Sequence, residues 1–283
     1  MEPPEKYLFK HKGVYFVSDM ATPDSLDALE DFEIRDSDVF LVTYPKSGTV
    51  WTQHILSLIY YEGHRNGTEE TDLLDRMPWL EYNVRNVDWS KRESPRLIAS
   101  HLPYYLVPKG LRNGKGKVIY VLRNPKDALV SCYHFSKFSH GMEELEFEVL
   151  MERFLAGKVG AGLWLDHVEG WFAHRDDFNI LFLTYEEMKK DLRSSVLKIC
   201  SFLGKKLTEE EADEVVDKAT FDKMRNDRRA NYEHLESDLV DHTKGHFLRK
   251  GVVGDWKNIM TVAQNERFNH VFQKRMEKLP FKL

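Results

Sequence analysis

The sequence predicts an α/β protein, a single domain over residues 1–283 in which helices flank a central parallel sheet. Short runs rich in β-branched and aromatic residues occur at 39–44, 117–122 and 179–184, as expected for buried strands. Each run is followed by a turn and a helical pattern, and this alternation implies a parallel sheet covered on both faces. A chain of 283 residues is long enough to bury one large core of this kind.

Two strand-turn-helix units dominate the first half of the chain. The first strand, 39–44, ends at Pro45, and apolar residues recur at helical spacing from Trp51 onward. The second strand, 117–122, is stopped by the turn at 123–125 before a helix restarts. The other predicted elements are strands at 96–101 and 179–184 and helices at 143–174, 185–203, 207–218 and 261–278.

Three stretches, 1–37, 66–96 and 226–249, lack a clear strand or helix pattern. The first contains aromatic residues that are expected to cover one side of the core. The second contains an apolar island at 77–80, which suits a surface segment that folds over a pocket.

The composition excludes several classes of protein. With 41 basic and 46 acidic residues the net charge is −5, so no overall positive field indicates nucleic acid or an anionic membrane as a partner. The amino-terminal segment has acidic residues early and no long apolar run, which predicts a cytoplasmic protein without a membrane anchor. Two cysteines, Cys132 and Cys200, are too few for a disulfide scaffold or a zinc cluster, and no metal is expected.

The loop after the first strand is a candidate phosphate cradle. Lys46, Ser47, Gly48 and Thr49 should lie at a helix amino terminus, where unpaired amides bind anions. Gly48 permits a close backbone approach, and Lys46 adds a positive charge. The lysine precedes the glycine, unlike in the nucleotide-hydrolase pattern GxxxxGK[ST], so a Mg-nucleotide hydrolase is not indicated. An ordinary strand-helix connection is the alternative.

Further candidate side chains follow other strands and turns. Arg123 follows the second strand, and the carboxyl ends of parallel strands meet at one edge of a sheet, so we expect it near the loop. Arg249 and Lys250 beside Gly251 suit a second phosphate clamp, with a solvated basic turn as the alternative. His101 also follows a strand and suits a general base for a hydroxyl or an amine, although most of the twelve histidines should be structural.

Three motifs resemble those of the cytosolic sulfotransferases: TYPKSGTVW at 43–51, RNPKDALVSCYHF at 123–135 and FLRKGVVGDWKN at 247–258. They occur in the family's order and spacing, and the resemblance extends over essentially the whole chain. It implies transfer of a sulfuryl group from 3′-phosphoadenylyl sulfate (PAPS) to a small acceptor without a metal. The product is adenosine 3′,5′-bisphosphate (PAP), and the implied setting is xenobiotic metabolism.

The resemblance also implies roles for individual residues. His101 matches the catalytic base, and Lys46 and Ser131 complete the catalytic set. The residues that match the phosphosulfate loop are Lys46, Ser47, Gly48, Thr49, Val50 and Trp51. The residues that match the 3′-phosphate loops are Arg123, Ser131, Phe247, Leu248, Arg249, Lys250 and Gly251. The residues that match positions around the nucleoside are Tyr185, Thr220, Phe221 and Met224.

Three positions depart from the family's pattern. Ala99 stands where many phenol-sulfating members have lysine, Val50 replaces a frequent threonine, and Ala219 stands where threonine is common. An active enzyme is expected because Lys46 and His101 are retained. A nucleotide-binding module without catalysis is one alternative, and a nucleoside-triphosphate kinase is another that the order of lysine and glycine disfavours.

The acceptor and the assembly are predicted from fainter resemblances. The chain looks most like the amine sulfotransferase branch, with phenols and hydroxysteroids left open. The proposed acceptor pocket consists of Phe16, Tyr82, His101, Phe135 and Phe138, with Glu143 and Glu144 to pair with an ammonium group. A homodimer is implied by the family's pattern KxxxTVxxxE, matched by Lys257, Thr261, Val262 and Glu266.

Overall fold

The computed structural model describes residues 2–61, 71–233, 235 and 239–281. The predicted irregular stretch at 66–96 therefore begins outside the described residues, and a part of the stretch at 226–249 also lies outside them.

A parallel sheet of four strands forms the centre of the protein, which confirms the predicted fold class. The strands are β1 (Leu8–His11), β2 (Val14–Val17), β3 (Val39–Thr43), β4 (Leu97–Ser100), β5 (Lys117–Leu122) and β6 (Ile180–Thr184). The central sheet has the order β4-β3-β5-β6, and Val42 of β3 lies opposite Ser100 and Tyr120. β1 and β2 form a separate antiparallel hairpin.

Helices cover both faces of this sheet. They are α1 (Pro23–Ala28), α2 (Thr49–Tyr61), α3 (Leu73–Arg76), α4 (Lys109–Arg112), α5 (Pro125–Phe138), α6 (Phe147–Leu155), α7 (Trp164–Ala173), α8 (Tyr185–Lys190), α9 (Leu192–Leu203), α10 (Glu209–Lys218), α11 (Phe221–Asn226) and α12 (Val262–Met276). Phe40 and Val42 of β3 pack with α5, α6, α7 and α12, whereas Val39 and Leu41 pack with α2 and α9. None of these helices has both the length and the apolar sequence that crossing a membrane requires.

Two predicted helices are interrupted, and one hairpin was not predicted. The helix predicted at 143–174 is divided into α6 and α7 by a turn in which Gly157 and Gly162 have φ of +70° and +74°. The helix predicted at 185–203 ends at Lys190 and restarts at Leu192, because Asp191 accepts a hydrogen bond from the amide of Ser194 as a new amino-terminal cap. The hairpin β1-β2 lies in the stretch predicted to be irregular.

The apolar island at 77–80 runs along the outer side of β4. The amide of Ala99 donates to the carbonyl of Pro78 at 2.9 Å, and the amide of Leu80 donates to the carbonyl of Ala99 at the same distance. The island thus lies beside the carboxyl end of β4, where the predicted base His101 follows the strand. The carboxyl ends of β3, β4 and β5 bring the loop at 45–49, His101 and Arg123 to one edge of the sheet.

Candidate active site

The loop between β3 and α2 has the tight backbone that the sequence predicts. Lys46 and Gly48 both have positive φ, +67° and +93°. A Cβ atom on Gly48 would lie 2.8 Å from the ring of Tyr185, so only glycine fits this close contact. The hydroxyl oxygen of Ser47 is buried and has no hydrogen-bond partner within the described part of the chain. A buried donor of this kind in a turn before a helix suits an oxyanion.

The Lys46 ammonium group lies against two aromatic rings. Its Nζ is 3.7 Å from the ring centre of Phe135 and 4.7 Å from that of Phe247. Burial lowers the pKa of Lys46 to about 8, and the positive charges of Arg123 and Arg249 act in the same direction. An anion that reaches this ammonium group would favour its charged form.

Arg123 joins the loop after β3 to the loop that precedes α12. Its Nη1 donates to the carbonyl of Lys46 at 3.0 Å, and its Nη2 donates to the carbonyl of Val252 at 3.1 Å. The guanidinium lies over the ring of Tyr185, 4.2 Å from its centre. The Nε of Arg123 is buried and makes no hydrogen bond to any described residue. The arginine therefore holds the two loops together and keeps one donor available.

Two acidic residues hold the second cationic loop, which contains Arg249 and Lys250. Asp255 is buried and accepts hydrogen bonds from Arg249 at 2.5 Å and Lys250 at 2.8 Å. Burial opposes ionisation, but the hydrogen bonds from Lys250 and Arg249 hold the pKa of Asp255 well below its usual range. Asp127 accepts from the amides of Gly254 and Trp256, which ties this loop to the start of α5.

Aromatic side chains connect the two cationic loops to α8 and α11. The indole of Trp51 donates to the carbonyl of Ala219 at 2.8 Å, and its ring lies 5.4 Å from that of Tyr185. A Cβ atom on Gly251, which has φ of +62°, would lie 2.4 Å from the ring of Phe221. Gly251 and Phe221 are therefore in direct contact, as are Gly48 and Tyr185. A flat, partly apolar ligand group would fit between such rings.

His101 is fixed so that one ring nitrogen can act as a base. Its Nδ1 lies 2.7 Å from the carbonyl oxygen of Thr43, which can only accept, so Nδ1 carries the proton and Nε2 keeps its lone pair. Burial lowers the pKa of His101 to about 3, and the ring is neutral at physiological pH. The backbone amide of His101 donates to the carboxylate of Glu81 at 2.5 Å. Burial in turn raises the pKa of Glu81 to about 7.

A group of aromatic rings surrounds His101 and Lys46. The ring of Trp79 lies 4.5 Å from that of His101 and 6.5 Å from that of Tyr82. On the side of Lys46, Phe135 lies 6.2 Å from Phe138 and 5.3 Å from Phe247, measured between ring centres. An apolar acceptor could therefore contact rings on both sides of the base.

Comparison with known proteins identifies the family. The family model described as a sulfotransferase domain matches residues 36–280. The chain belongs to the sulfotransferase family. The amine sulfotransferase of the rabbit (Oryctolagus cuniculus) is 57% identical over 285 residues, which cover 100% of this chain and 95% of that protein. This similarity confirms the expected resemblance to the amine sulfotransferase branch.

Two further relatives show how wide the family is. The 3-beta-hydroxysteroid sulfotransferase of the guinea pig (Cavia porcellus) is 42% identical over 275 residues, covering 96% of this chain and 95% of that protein. The crystal structure of mouse sulfotransferase SULT7A1 complexed with PAP is 31% identical, with a TM-score of 0.80. The superposed residues cover 96% of this chain and 95% of the mouse chain. The present protein is therefore a sulfotransferase, and the enzyme class predicted from the motifs is confirmed.

The sulfotransferase structure brings most of the predicted residues to one edge of the sheet. Two of them, Val50 and Met224, have buried side chains in a small cluster against which Leu248 packs. Thr220 precedes α11 as its amino-terminal cap, and its hydroxyl donates to the carbonyl of Asp217 at 2.7 Å. Phe16 is buried in the main core. Phe16, Val50 and Met224 therefore offer little side-chain surface to a ligand, whereas Thr220 is partly exposed.

The two predicted ammonium-binding residues already have cationic partners. Glu143 accepts from Arg153 at 2.7 Å, and Glu144 accepts from Lys244 at 2.8 Å. An ammonium group would have to displace one of these partners from a carboxylate. The pairing therefore argues against the recognition role predicted for Glu143 and Glu144, and we do not carry it forward.

The sequence reasoning missed several residues of the sulfotransferase site. Trp79 lies in the apolar island that was predicted to fold over a pocket. The sequence therefore indicated where Trp79 lies but not its contact with His101. Asp127 stands in the first turn of α5, within the second motif, but nothing local shows that it holds Gly254 and Trp256. Glu81 had no signal, because a single glutamate in an irregular stretch is usually a solvated one.

Proposed function

We propose that this sulfotransferase transfers the sulfuryl group of PAPS and releases PAP. The observation that carries the proposal is a pair of buried donors that have no hydrogen-bond partner among the described residues: Ser47 Oγ in the loop after β3, and Nε of Arg123, which joins that loop to the loop before α12. Two anionic groups on one ligand would satisfy both loops. The PAP bound to mouse SULT7A1 supports this choice of ligand.

The residues present fit such a ligand. Lys46, Ser47, Gly48 and Thr49 would hold the phosphosulfate, with the amides at the start of α2 as additional donors. Arg123, Ser131, Arg249, Lys250 and Gly251, with Phe247 and Leu248 behind them, would hold the 3′-phosphate. Trp51, Tyr185, Thr220 and Phe221 would surround the nucleoside, above Val50 and Met224. PAPS supplies an activated sulfuryl group.

In the proposed reaction, His101 Nε2 accepts the proton of the acceptor nitrogen or oxygen as that atom forms its bond to sulfur. The bond from sulfur to the phosphate oxygen breaks, and its electron pair stays on the phosphate. Lys46 and the loop amides stabilise the charge that develops on the departing oxygen. The reaction needs no oxidant or reductant, because the sulfur keeps its oxidation state. This assignment makes His101 and Lys46 the catalytic residues, with Ser131 at the 3′-phosphate.

The amine is the acceptor that we propose, because the rabbit relative of 57% identity carries the name amine sulfotransferase. Trp79, Tyr82, Phe135 and Phe138 would line the pocket. A hydroxysteroid or a phenol is the second candidate, since the guinea pig relative is named for a 3-beta-hydroxysteroid. Both acceptors suit an aromatic pocket beside a neutral base.

Labelled sulfate tests the acceptor directly. We expect transfer from PAPS to a primary or secondary aryl amine to exceed transfer to a phenol and a hydroxysteroid of similar size. Labelling of the phenol or steroid alone would retain the transferase and discard the amine. Binding of PAP without transfer to any acceptor would instead favour a nucleotide-binding module.

Gly251→Ala is expected to weaken PAP binding by about tenfold or more, which corresponds to about 1.4 kcal/mol. The new Cβ atom would lie 2.4 Å from the Phe221 ring and push that ring out of the nucleoside site. The measurement is calorimetric titration with PAP.

Gly254→Ala is the matched control for that substitution. Gly254 also has positive φ, +83°, but nothing lies within 4 Å of a Cβ atom built on it. Both variants therefore carry the backbone strain of an alanine in the left-handed region, about 1–2 kcal/mol, and only Gly251→Ala disturbs Phe221. Equal PAP affinities in the two variants would contradict the assignment of Phe221 to the nucleoside.

We also propose a cytoplasmic homodimer without nucleic-acid or membrane partners. Thr261 caps α12, Val262 and Glu266 lie in its first two turns, and Lys257 precedes it in a short 3-10 helix at Asp255–Asn258. Val262 is 75% exposed. Val252 and Val253 are exposed close by in the chain. A small twofold contact would cover these valines. Sedimentation velocity checks the assembly, and a monomer at all accessible concentrations would exclude it.

A further inference from the structure

The backbone around His101 is held by side chains of a helix that neither the motifs nor the proposed chemistry uses. β4 ends at Ser100, so the carbonyl groups that follow have left the sheet ladder. His167 Nε2 lies 2.9 Å from the carbonyl oxygen of His101. Trp171 Nε1 donates to the next carbonyl, that of Leu102, at 3.1 Å. Two donors one turn apart on α7 therefore bind two consecutive carbonyls of the segment that follows β4.

The proton position on His167 follows from its partners. A carbonyl oxygen only accepts, so Nε2 of His167 carries the proton. Nδ1 then keeps its lone pair, and it lies 2.8 Å from the hydroxyl oxygen of Tyr120 on β5. Burial lowers the pKa of His167 to about 4, and the Tyr120 hydroxyl is fully buried, so both groups are neutral at physiological pH. The hydrogen bonds run in one direction, from Tyr120 through His167 to the backbone of His101.

Close packing of α7 against the loop makes this arrangement possible. Gly170 lies between the two donors, and a Cβ atom there would be 2.8 Å from the ring of Tyr104. A larger residue would separate the helix from the loop. His167 and Trp171 are both buried, so water does not compete for their hydrogen bonds.

We propose that His167, oriented by Tyr120, is a positioning residue that places Nε2 of His101 for proton abstraction. The inference rests on the proposed role of His101 as the base. Three contacts fix that residue: Thr43 binds its ring, Glu81 its amide and His167 its carbonyl. The first two restrain the ring and the amide, and the third restrains the peptide that follows. A catalytic group whose support is lost can move by about 1 Å, which costs about 10²-fold in rate.

The experiment compares His167→Asn with His167→Gln. The amide of glutamine reaches the position of Nε2, where it can donate to the His101 carbonyl, whereas the shorter asparagine cannot reach it. We expect His167→Asn to lower kcat by about 10- to 100-fold and His167→Gln to recover most of that loss. The dissociation constant of PAP should stay within about twofold of the wild-type value in both variants, because His167 bonds to Tyr120 and His101 and packs against Tyr44, which are all outside the proposed phosphosulfate-binding residues 46–51.

A double-variant cycle separates positioning from a general loss of structure. In a His101→Ala background, His167→Asn should produce no further loss of kcat, because no base remains to be positioned. An equal loss in both backgrounds would overturn the proposal, as would unchanged kcat in His167→Asn alone. If His101→Ala itself kept full turnover, the proposed base would be wrong, and that result is distinguishable from either of these.

Tyr120→Phe tests the same chain of hydrogen bonds, from Tyr120 through His167 to His101, with less risk to the fold. It removes one hydroxyl and leaves His167 without the donor that fixes its proton on Nε2. We expect kcat to fall by about 3- to 10-fold, with the melting temperature and PAP affinity as controls. Should His167→Asn fail to fold, unchanged kcat in Tyr120→Phe would be sufficient to overturn the proposal.

Discussion

Replacing His101 with alanine is expected to lower kcat by about 10²- to 10⁴-fold, the usual contribution of a general base. The affinity for PAP should stay nearly unchanged, because the ring bonds to Thr43 and contacts Trp79, and neither residue is among the proposed PAP ligands. Turnover measured with labelled sulfate checks the expected fall in kcat, and calorimetric titration checks the affinity for PAP. Loss of PAP binding in parallel with kcat would show that His101 supports the fold and does not act as a base.

The low pKa of His101 makes the same assignment testable without replacing this residue. Since burial lowers this pKa to about 3, the lone pair on Nε2 is present throughout the neutral range. Glu81, whose pKa is about 7, titrates close to the ordinary value for histidine, so the test uses a Glu81→Gln variant with a phenol as acceptor. In this variant kcat/KM should show no descending limb near pH 6.5, and a limb at that pH would mean that His101 is more exposed than its surroundings indicate.

Lys46→Met should reduce kcat by about 10²- to 10³-fold, comparable to the removal of one preorganised donor from an oxyanion site. Methionine keeps the length of the side chain and its contact with Phe135 and Phe247 but has no charge. Lys46→Arg is the control that retains the charge, and it should lose less. Similar turnover in wild type and Lys46→Met would exclude the lysine from the transfer step.

Binding of PAP should also take up protons through Lys46. The pKa of this group is about 8 in the free protein, and a phosphate beside it favours the ammonium form and raises the pKa. The bound state then holds more protons than the free state at about pH 8 to 9, so affinity falls as the pH rises through this range. Calorimetry in two buffers of different ionisation enthalpy should show the uptake in wild type and none in Lys46→Met.

Local patterns predicted much of the site because its main parts are local in sequence. The change from strand to helix spacing around Gly48 is complete within about a dozen residues, and His101 and Arg123 follow strands directly. To predict that these residues lie close together, only one rule is needed: the carboxyl ends of parallel strands meet at the same edge of the sheet. The roles of the matched residues came from the family resemblance and not from these patterns.

Contacts between distant segments were beyond sequence reasoning. The carboxylate of Glu144 is paired with Lys244, 100 residues away, and Tyr120 meets His167 at a separation of 47 residues. The hairpin β1-β2 is a different case, since Lys12 and Gly13 both have positive φ, as the tight turns favoured in hairpins require. Its glycine was a usable signal, but strands of four residues are too short for a convincing alternation.

The island at 77–80 combines two tasks that are usually separate. β4 is an edge strand, and an uncovered edge can pair with another chain and cause aggregation. The island covers part of that edge because the carbonyl of Pro78 accepts from Ala99 and the amide of Leu80 donates to Ala99, while the side chain of Trp79 faces His101. The protection of the edge depends on main-chain atoms, whereas the proposed contact with the acceptor depends on the side chain of residue 79. A substitution at this position would therefore change the proposed pocket without removing the groups that bond to the edge of β4.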